Sequence, residues 1–189
     1  IQKRIQAPPV ERFEEIRDKG LSQCHTIMAT RIFDCFDTRR YPMNLLRYYL
    51  GSGMNALLFR ELREKRGYVY NVEAANNFYT DCGSFSIYFG SAHENEAKCR
   101  RLINNLLSHL AESPMKPTVF ERLRRNFSGR REILNSAINK RTGNAGRELL
   151  RYGSVSSREQ IAEIIGGITP EDLRACAEEI MKHGLSTLI

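Results

Sequence analysis

The sequence predicts an α+β domain, with helices packed on one face of a mainly antiparallel sheet. Three observations lead to this. Gly83 to Gly90 alternates cleanly, with Phe85, Ile87 and Phe89 on one side and Ser84, Ser86 and Tyr88 on the other, so one sheet face is buried. Glu94 to Glu112 carries Leu102, Ile103, Leu106, Leu107 and Leu110 as a helical stripe. The order of elements is strands, two helices, two strands, several helices and a closing strand, without an internal repeat.

Ile1 to Val10, with Pro8 and Pro9, reads as an extended linker. Glu11 to Lys19 is charged and leaves a short helix or a lead-in strand open. Residues 1–20 are thus a linker or lead-in, and residues 21–189 a single domain, long enough for a proper core. Leu21 to Phe36 reads as one long strand or a strand pair, with His25, Ile27, Ala29 and Arg31 alternating with Thr26, Met28, Thr30 and Ile32. His25 reads as a strand residue with a satisfied partner, since no ligand partner is spaced near it. Arg39 to Leu50 reads as a core helix with Pro42 in its first turn, where proline is tolerated.

Leu50 to Tyr70 reads as glycine turn, short helix, glycine stop and strand. Gly51 and Gly53 supply backbone freedom. Asn55 is the expected N-cap, and Met54, Leu58, Phe59 and Leu62 form the apolar stripe. Glu61 and Lys65 are spaced as a helical ion pair. Gly67 suits a left-handed stop, and Tyr68, Val69, Tyr70 and Val72 favour a strand. Tyr70 to Tyr79 and Gly83 to Gly90 then form two strands joined at Thr80 to Gly83. Beyond Pro114 and Pro117, Thr118 and Glu121 match a capping box. Phe120, Leu123, Phe127, Leu134 and Ile138 share one helical face, with Gly129 as its weak point. Arg141 to Gly153 is left as helix or loop. Ser157 caps a short helix that Gly166 and Gly167 end. Thr169, with Pro170 after it, caps a last helix to His183, and Leu185 to Ile189 closes the chain as a strand.

Arg63 lies about one turn, or roughly 6 Å, before Gly67, and Tyr70 three extended residues, or roughly 10 Å, after it. A strand folding back beside the helix would let both side chains face one point. A guanidinium and a phenol so placed offer hydrogen-bond donors to a carbonyl or an oxyanion. The alternative for the pair is a surface arginine and a half-buried strand tyrosine.

The run LGSGMNALLFRELREKRGYVYNV resembles the signature of the pitrilysin/insulinase family of zinc metallopeptidases, which includes processing peptidases. Gly51, Gly53, Leu58, Phe59, Arg63, Gly67 and Tyr70 carry the match. Ile168 to Leu173 and Leu185 to Ile189 resemble the helix and strand that close such a domain, so the likeness covers about residues 21–189. Enzymes of the family carry His-x-x-Glu-His, in which two histidines bind zinc and the glutamate activates water. The four histidines here, His25, His93, His109 and His183, do not form it; His93-Glu94-Asn95-Glu96-Ala97 has alanine in the last place. His93 and Glu96 read instead as the start of an ordinary helix.

The resemblance therefore implies a metallopeptidase-domain-like fold and the zinc-free member of a domain pair. In that role Arg63 and Tyr70 would support the substrate carbonyl and the oxyanion. No cofactor or metal is expected in this chain; zinc and the catalytic glutamate would come from a companion domain or subunit, and the partner would be a peptide substrate. The chain alone is expected to be inactive and to be a piece of a longer protein. The other reading is a non-catalytic relative that binds peptides or builds complexes.

The net charge of +7, from 29 basic and 22 acidic residues, admits nucleic acid, anionic membranes or acidic peptides. The basic residues concentrate between Arg122 and Arg151 without an RNA-binding aromatic signature or zinc-finger spacing, so solvated helix faces are expected there and no nucleic-acid partner. No apolar run approaches the roughly 18 residues of a membrane span. Five irregularly spaced cysteines argue against a disulfide scaffold or structural zinc and for buried free thiols.

Overall fold

The computed structural model describes Pro8 and residues 11–189, the Asn135 side chain excepted. Five strands form one sheet in the order β1-β5-β2-β4-β3. They are β1 (Glu14–Glu15), β2 (Cys24–Ile32), β3 (Val69–Phe78), β4 (Gly83–Ser91) and β5 (Ser186–Leu188). β4 pairs antiparallel with β2 and β3, and β5 pairs antiparallel with β2. The two residues of β1 run parallel to β5, so the sheet is mixed. The expected linker lies outside the described residues except for Pro8, whose carbonyl accepts a hydrogen bond from the Arg31 guanidinium.

Alternation decides which sheet face is covered. In β2, Cys24, Thr26, Met28 and Ile32 are buried, whereas His25 and Ile27 are exposed. Phe85, Ile87 and Phe89 of β4 join the same core. Over them lie α1 (Arg40–Gly51), α2 (His93–Glu112) and α6 (Pro170–Met181), which contribute Leu45, Leu46, Leu50, Ile103, Leu107, Leu173 and Ile180. Arg100 of α2 ties the first strand down, lying 2.8 Å from Glu14 and 2.7 Å from Glu96.

α5 (Arg158–Gly167) and α6 begin as expected. The Ser157 and Thr169 side chains accept from the backbone N–H groups of Gln160 and Asp172, and both capping boxes close. Gly166 and Gly167 end α5 from inside its last turn. Other expectations are corrected. α3 (Pro117–Ser136) starts at Pro117, so Thr118 lies in its first turn and makes no cap. Gly129 stays inside a continuous helix. The break comes at Ala137, in extended geometry, beside Ser136, whose hydroxyl donates to the Ile133 carbonyl. α4 (Ile138–Tyr152) then runs through Gly143 and Gly146 to Gly153. Phe120 and Leu123 are buried, but Leu134 and Ile138 stay exposed.

Candidate functional site

The segment after α1 is set by one close backbone approach and one left-handed glycine. Gly51 lies so near β3 that a Cβ on it would sit 2.1 Å from the Ala74 nitrogen. Its glycine is required by space, whereas Gly53, at φ +86°, is the one required by conformation. Met54 does not join the apolar stripe; it is 74% exposed, because the chain only becomes helical beyond it. Leu58 and Leu62 are fully buried and anchor the segment.

Phe59–Glu64 is a π-helical turn, with the Lys65 N–H donating to the Arg60 carbonyl five residues back at 3.0 Å. Tyr68 N–H reaches the Leu62 carbonyl at 2.9 Å, and Gly67 N–H the Arg63 carbonyl at 3.0 Å. Gly67 takes φ +64° to make this possible. The two residues that lead into β3 are therefore bonded directly back to the π turn.

Two of the three cations near this end are committed. Lys65 and Arg66 bind the Glu61 carboxylate at 2.7 and 3.0 Å, and Arg66 also donates to the Glu61 carbonyl. The Lys65 hydrogen bond, helped by Arg66, holds the Glu61 carboxyl below its ordinary range despite partial burial. Arg63 is different. Its guanidinium lies 5.2 Å from the Phe59 ring centroid, and among the described residues no carboxylate is within 4 Å of it. It faces solvent.

Tyr70 occupies a β-bulge on the edge strand. Val69 pairs with Ser91 and Asn71 with Gly90, leaving Tyr70 as the extra residue. The bulge resolves a conflict in the sequence. Val69 and Ala74 are both buried but five positions apart, and an unbroken strand would put them on opposite faces. The extra residue resets the alternation and leaves Tyr70 54% exposed. No hydrogen bond joins Arg63 to Tyr70 among the described residues. They are two exposed donors on consecutive elements, seven residues apart.

The uncovered sheet face adds groups that the sequence did not single out together. His25, Gly90 and Asn71 stand in one row across β2, β4 and β3. His25 Nδ1 lies 2.8 Å from the Tyr88 hydroxyl, and the two rings stack at 6.1 Å. The Asn71 amide oxygen occupies space that a Cβ on Gly90 would need. The odd-numbered half of the Leu21 to Phe36 alternation was the available signal for this face.

His93 begins α2 and contacts the Leu21 carbonyl at 3.0 Å, while Glu96 is buried, accepting from Thr26 and pairing with Arg100. Both serve the helix start. Among the described residues no group of three or more His, Cys, Asp or Glu side chains could hold a metal ion. No helix is long and apolar enough to cross a membrane.

Comparison with known proteins sets this geometry in context. The sequence profile described as "Peptidase M16 inactive domain" matches residues 2–127. An uncharacterized zinc protease of Streptomyces coelicolor is 28% identical over 167 residues, covering 88% of this chain and 36% of the relative. One from Rickettsia felis is 30% identical over 144 residues, covering 75% of this chain and 34% of the relative. The chain thus spans a little over a third of these relatives. Among solved structures, a peptidase M16 inactive domain from Pseudomonas fluorescens superposes with a TM-score of 0.87 at 19% identity, over 100% of this chain and 45% of that one. A protease from Helicobacter pylori gives 0.84 at 15% identity, over 100% and 47%.

Proposed function

The chain belongs to the peptidase M16 inactive-domain family, and from that premise we propose that it is the substrate-binding, transition-state-supporting domain of a zinc-dependent endopeptidase. The observation that carries this reading is the exposed Arg63, uncompensated by any carboxylate among the described residues, one glycine turn before the bulged Tyr70. In this reading the guanidinium and the phenol hydroxyl donate to the peptide carbonyl beside the scissile bond. They hold its oxygen more tightly as negative charge develops in the tetrahedral state. The zinc and the general base come from a companion domain or subunit, as the zinc-protease names of the relatives suggest. This chain by itself cleaves nothing and binds no zinc tightly.

The test uses the longer protein, or the complex, that holds both halves. Arg63→Ala and Tyr70→Phe should each lower peptide cleavage while zinc content stays constant. Unchanged turnover in both variants removes the role, and stoichiometric zinc in this chain alone would contradict the division of labour.

A second reading is a non-catalytic, complex-building domain. It is favoured by α4, none of whose described side chains is buried and which exposes Ile138, Leu149 and Leu150. Under it, the assembled protein loses a partner, rather than turnover, when these side chains become polar.

A further inference from the structure

The basic stretch expected to be solvated helix faces folds into α3 and α4, and these converge with α1 on one cleft. Its volume is about 530 Å³. Arg47 of α1, Arg130 and Arg131 of α3, and Lys140 and Arg147 of α4 line it, and no carboxylate does. Among the described residues, none of the five cations lies within 4 Å of a carboxylate elsewhere.

When the cleft is empty the cost falls on Arg47, because Arg130, Lys140 and Arg147 are exposed. Arg47 is half-buried, with one hydrogen bond to Ser52 Oγ at 3.3 Å. Burial, and then the neighbouring Arg130, push its affinity for the proton below the ordinary range of a guanidinium. Like charges around a partly desolvated arginine favour whatever brings negative charge.

Other features of the cleft point to the same kind of ligand. Tyr48 and Phe127 contribute apolar ring surface, with centroids 5.3 Å apart, and Arg130 lies over Tyr48 at 5.9 Å. The N-terminus of the 15-residue α4 adds the positive end of its dipole, and its N-cap Ala137 offers no side chain to cap the first turn. No imidazole, thiol or carboxylate is available for a cation. Arginine forks match the tetrahedral oxygens of phosphate bidentately. The volume falls in the range of small-molecule sites, about 300–1,000 Å³, whereas a peptide with carboxylates spread along it needs a longer groove.

We infer that this cleft is a binding site for a small anion carrying two or more linked phosphates. The aromatic surface leaves room for a nucleoside on the phosphate chain. Neither Arg63 nor Tyr70 lines the cleft, so this site stands or falls independently of the role proposed for them.

The test is titration calorimetry on the purified protein with sodium tripolyphosphate, ATP, a short oligonucleotide and a glutamate-rich peptide. Tripolyphosphate should bind, with affinity that falls as salt rises. Equal affinity for ATP assigns recognition to the phosphate chain; tighter binding of ATP assigns part of it to the nucleoside. Arg130→Gln with Arg147→Gln should weaken binding by about tenfold or more, since two charge-assisted contacts are lost. The exposed pair Arg101→Gln with Arg125→Gln, outside the cleft, should leave it unchanged. Melting without anion should show the cleft variant at least as stable as wild type, and the rise in Tm on adding tripolyphosphate should be lost. The single Arg147→Gln variant replaces the pair if the pair does not fold. Absence of tripolyphosphate binding, equal loss in the control pair, or tighter binding of the oligonucleotide or the peptide would overturn the assignment.

Discussion

Gly51 and Ala74 touch backbone to backbone: a Cβ built on the glycine would fall 2.1 Å from the Ala74 nitrogen and 2.6 Å from its Cβ. This contact fixes the end of α1 against the edge strand and so sets where the π turn and Tyr70 lie. The obstructing atoms are the Ala74 nitrogen, Cα and Cβ, none of which can rotate away. Gly51→Ala should therefore destabilise the fold by about 1–3 kcal/mol, or more if β3 is displaced. Urea denaturation followed by circular dichroism measures it. A change within about 0.5 kcal/mol, as for an ordinary surface site, would mean that α1 and β3 separate easily.

Glu61 gives a pH-dependent prediction. Its carboxyl titrates below its ordinary range in the folded state because Lys65 and Arg66 bind the ionised form. The stability it contributes is present above the unfolded pKa of 4.5 and is lost as pH falls through the lower folded value. Glu61→Gln should cost up to about 1 kcal/mol at pH 7, and the difference from wild type should be smaller at pH 3. Equal differences at both pH values would show that the side chain acts through packing instead.

Much of the fold was readable from side-chain pattern, and what escaped depends on contacts distant in sequence. The Gly83 to Gly90 alternation and the α2 stripe are local, and so are the Ser157 and Thr169 caps. β1 consists of two exposed glutamates, and it becomes a strand only by pairing with β5 at the other end of the chain. The π turn shows in the five-residue bond from Lys65 back to Arg60, a pattern that a helical stripe does not encode. The Tyr70 bulge was latent in the parity of Val69 and Ala74 but needed the β4 register to be seen. Of the candidate site, the sequence proposed both donors through the family resemblance, and both side chains are exposed. The clustering of Arg47 with Arg130 and Arg147 required three helices to meet.

The thiols supply an alkaline counterpart. Among the described residues all five cysteines are unpaired, and four are buried, Cys82 being the one partly accessible. Burial raises Cys99 to about 11 and Cys176 to about 12. A raised folded pKa contributes stability that is complete below the unfolded value of 9.0 and is lost as pH climbs through the folded one. Stability should decline above pH 9, and Cys176→Ala should flatten the decline while leaving a cavity cost at neutral pH. A disulfide-exchange reagent should modify Cys82 first in the native protein and the other four only on unfolding. Rapid native labelling of Cys99 or Cys176 would contradict the packing.

Arg63 and Tyr70 yield the most discriminating prediction, because a structural and a functional role move different readouts. Both side chains are exposed, and Arg63 touches only the Phe59 ring among its described contacts. Arg63→Ala and Tyr70→Phe should therefore leave stability within about 0.5 kcal/mol of wild type. If the two groups donate to a developing oxyanion, each change should lower kcat of the zinc-bearing assembly by about 10²–10³, or about 3 kcal/mol. KM should change little, since the interaction strengthens in the transition state. Arg63→Lys should recover only part of the loss, because an ammonium cannot reproduce the planar two-pronged contact. A fall in Tm that accounts for the lost activity would make the pair structural. A rise in KM with kcat intact would make it a docking contact for the ground-state peptide.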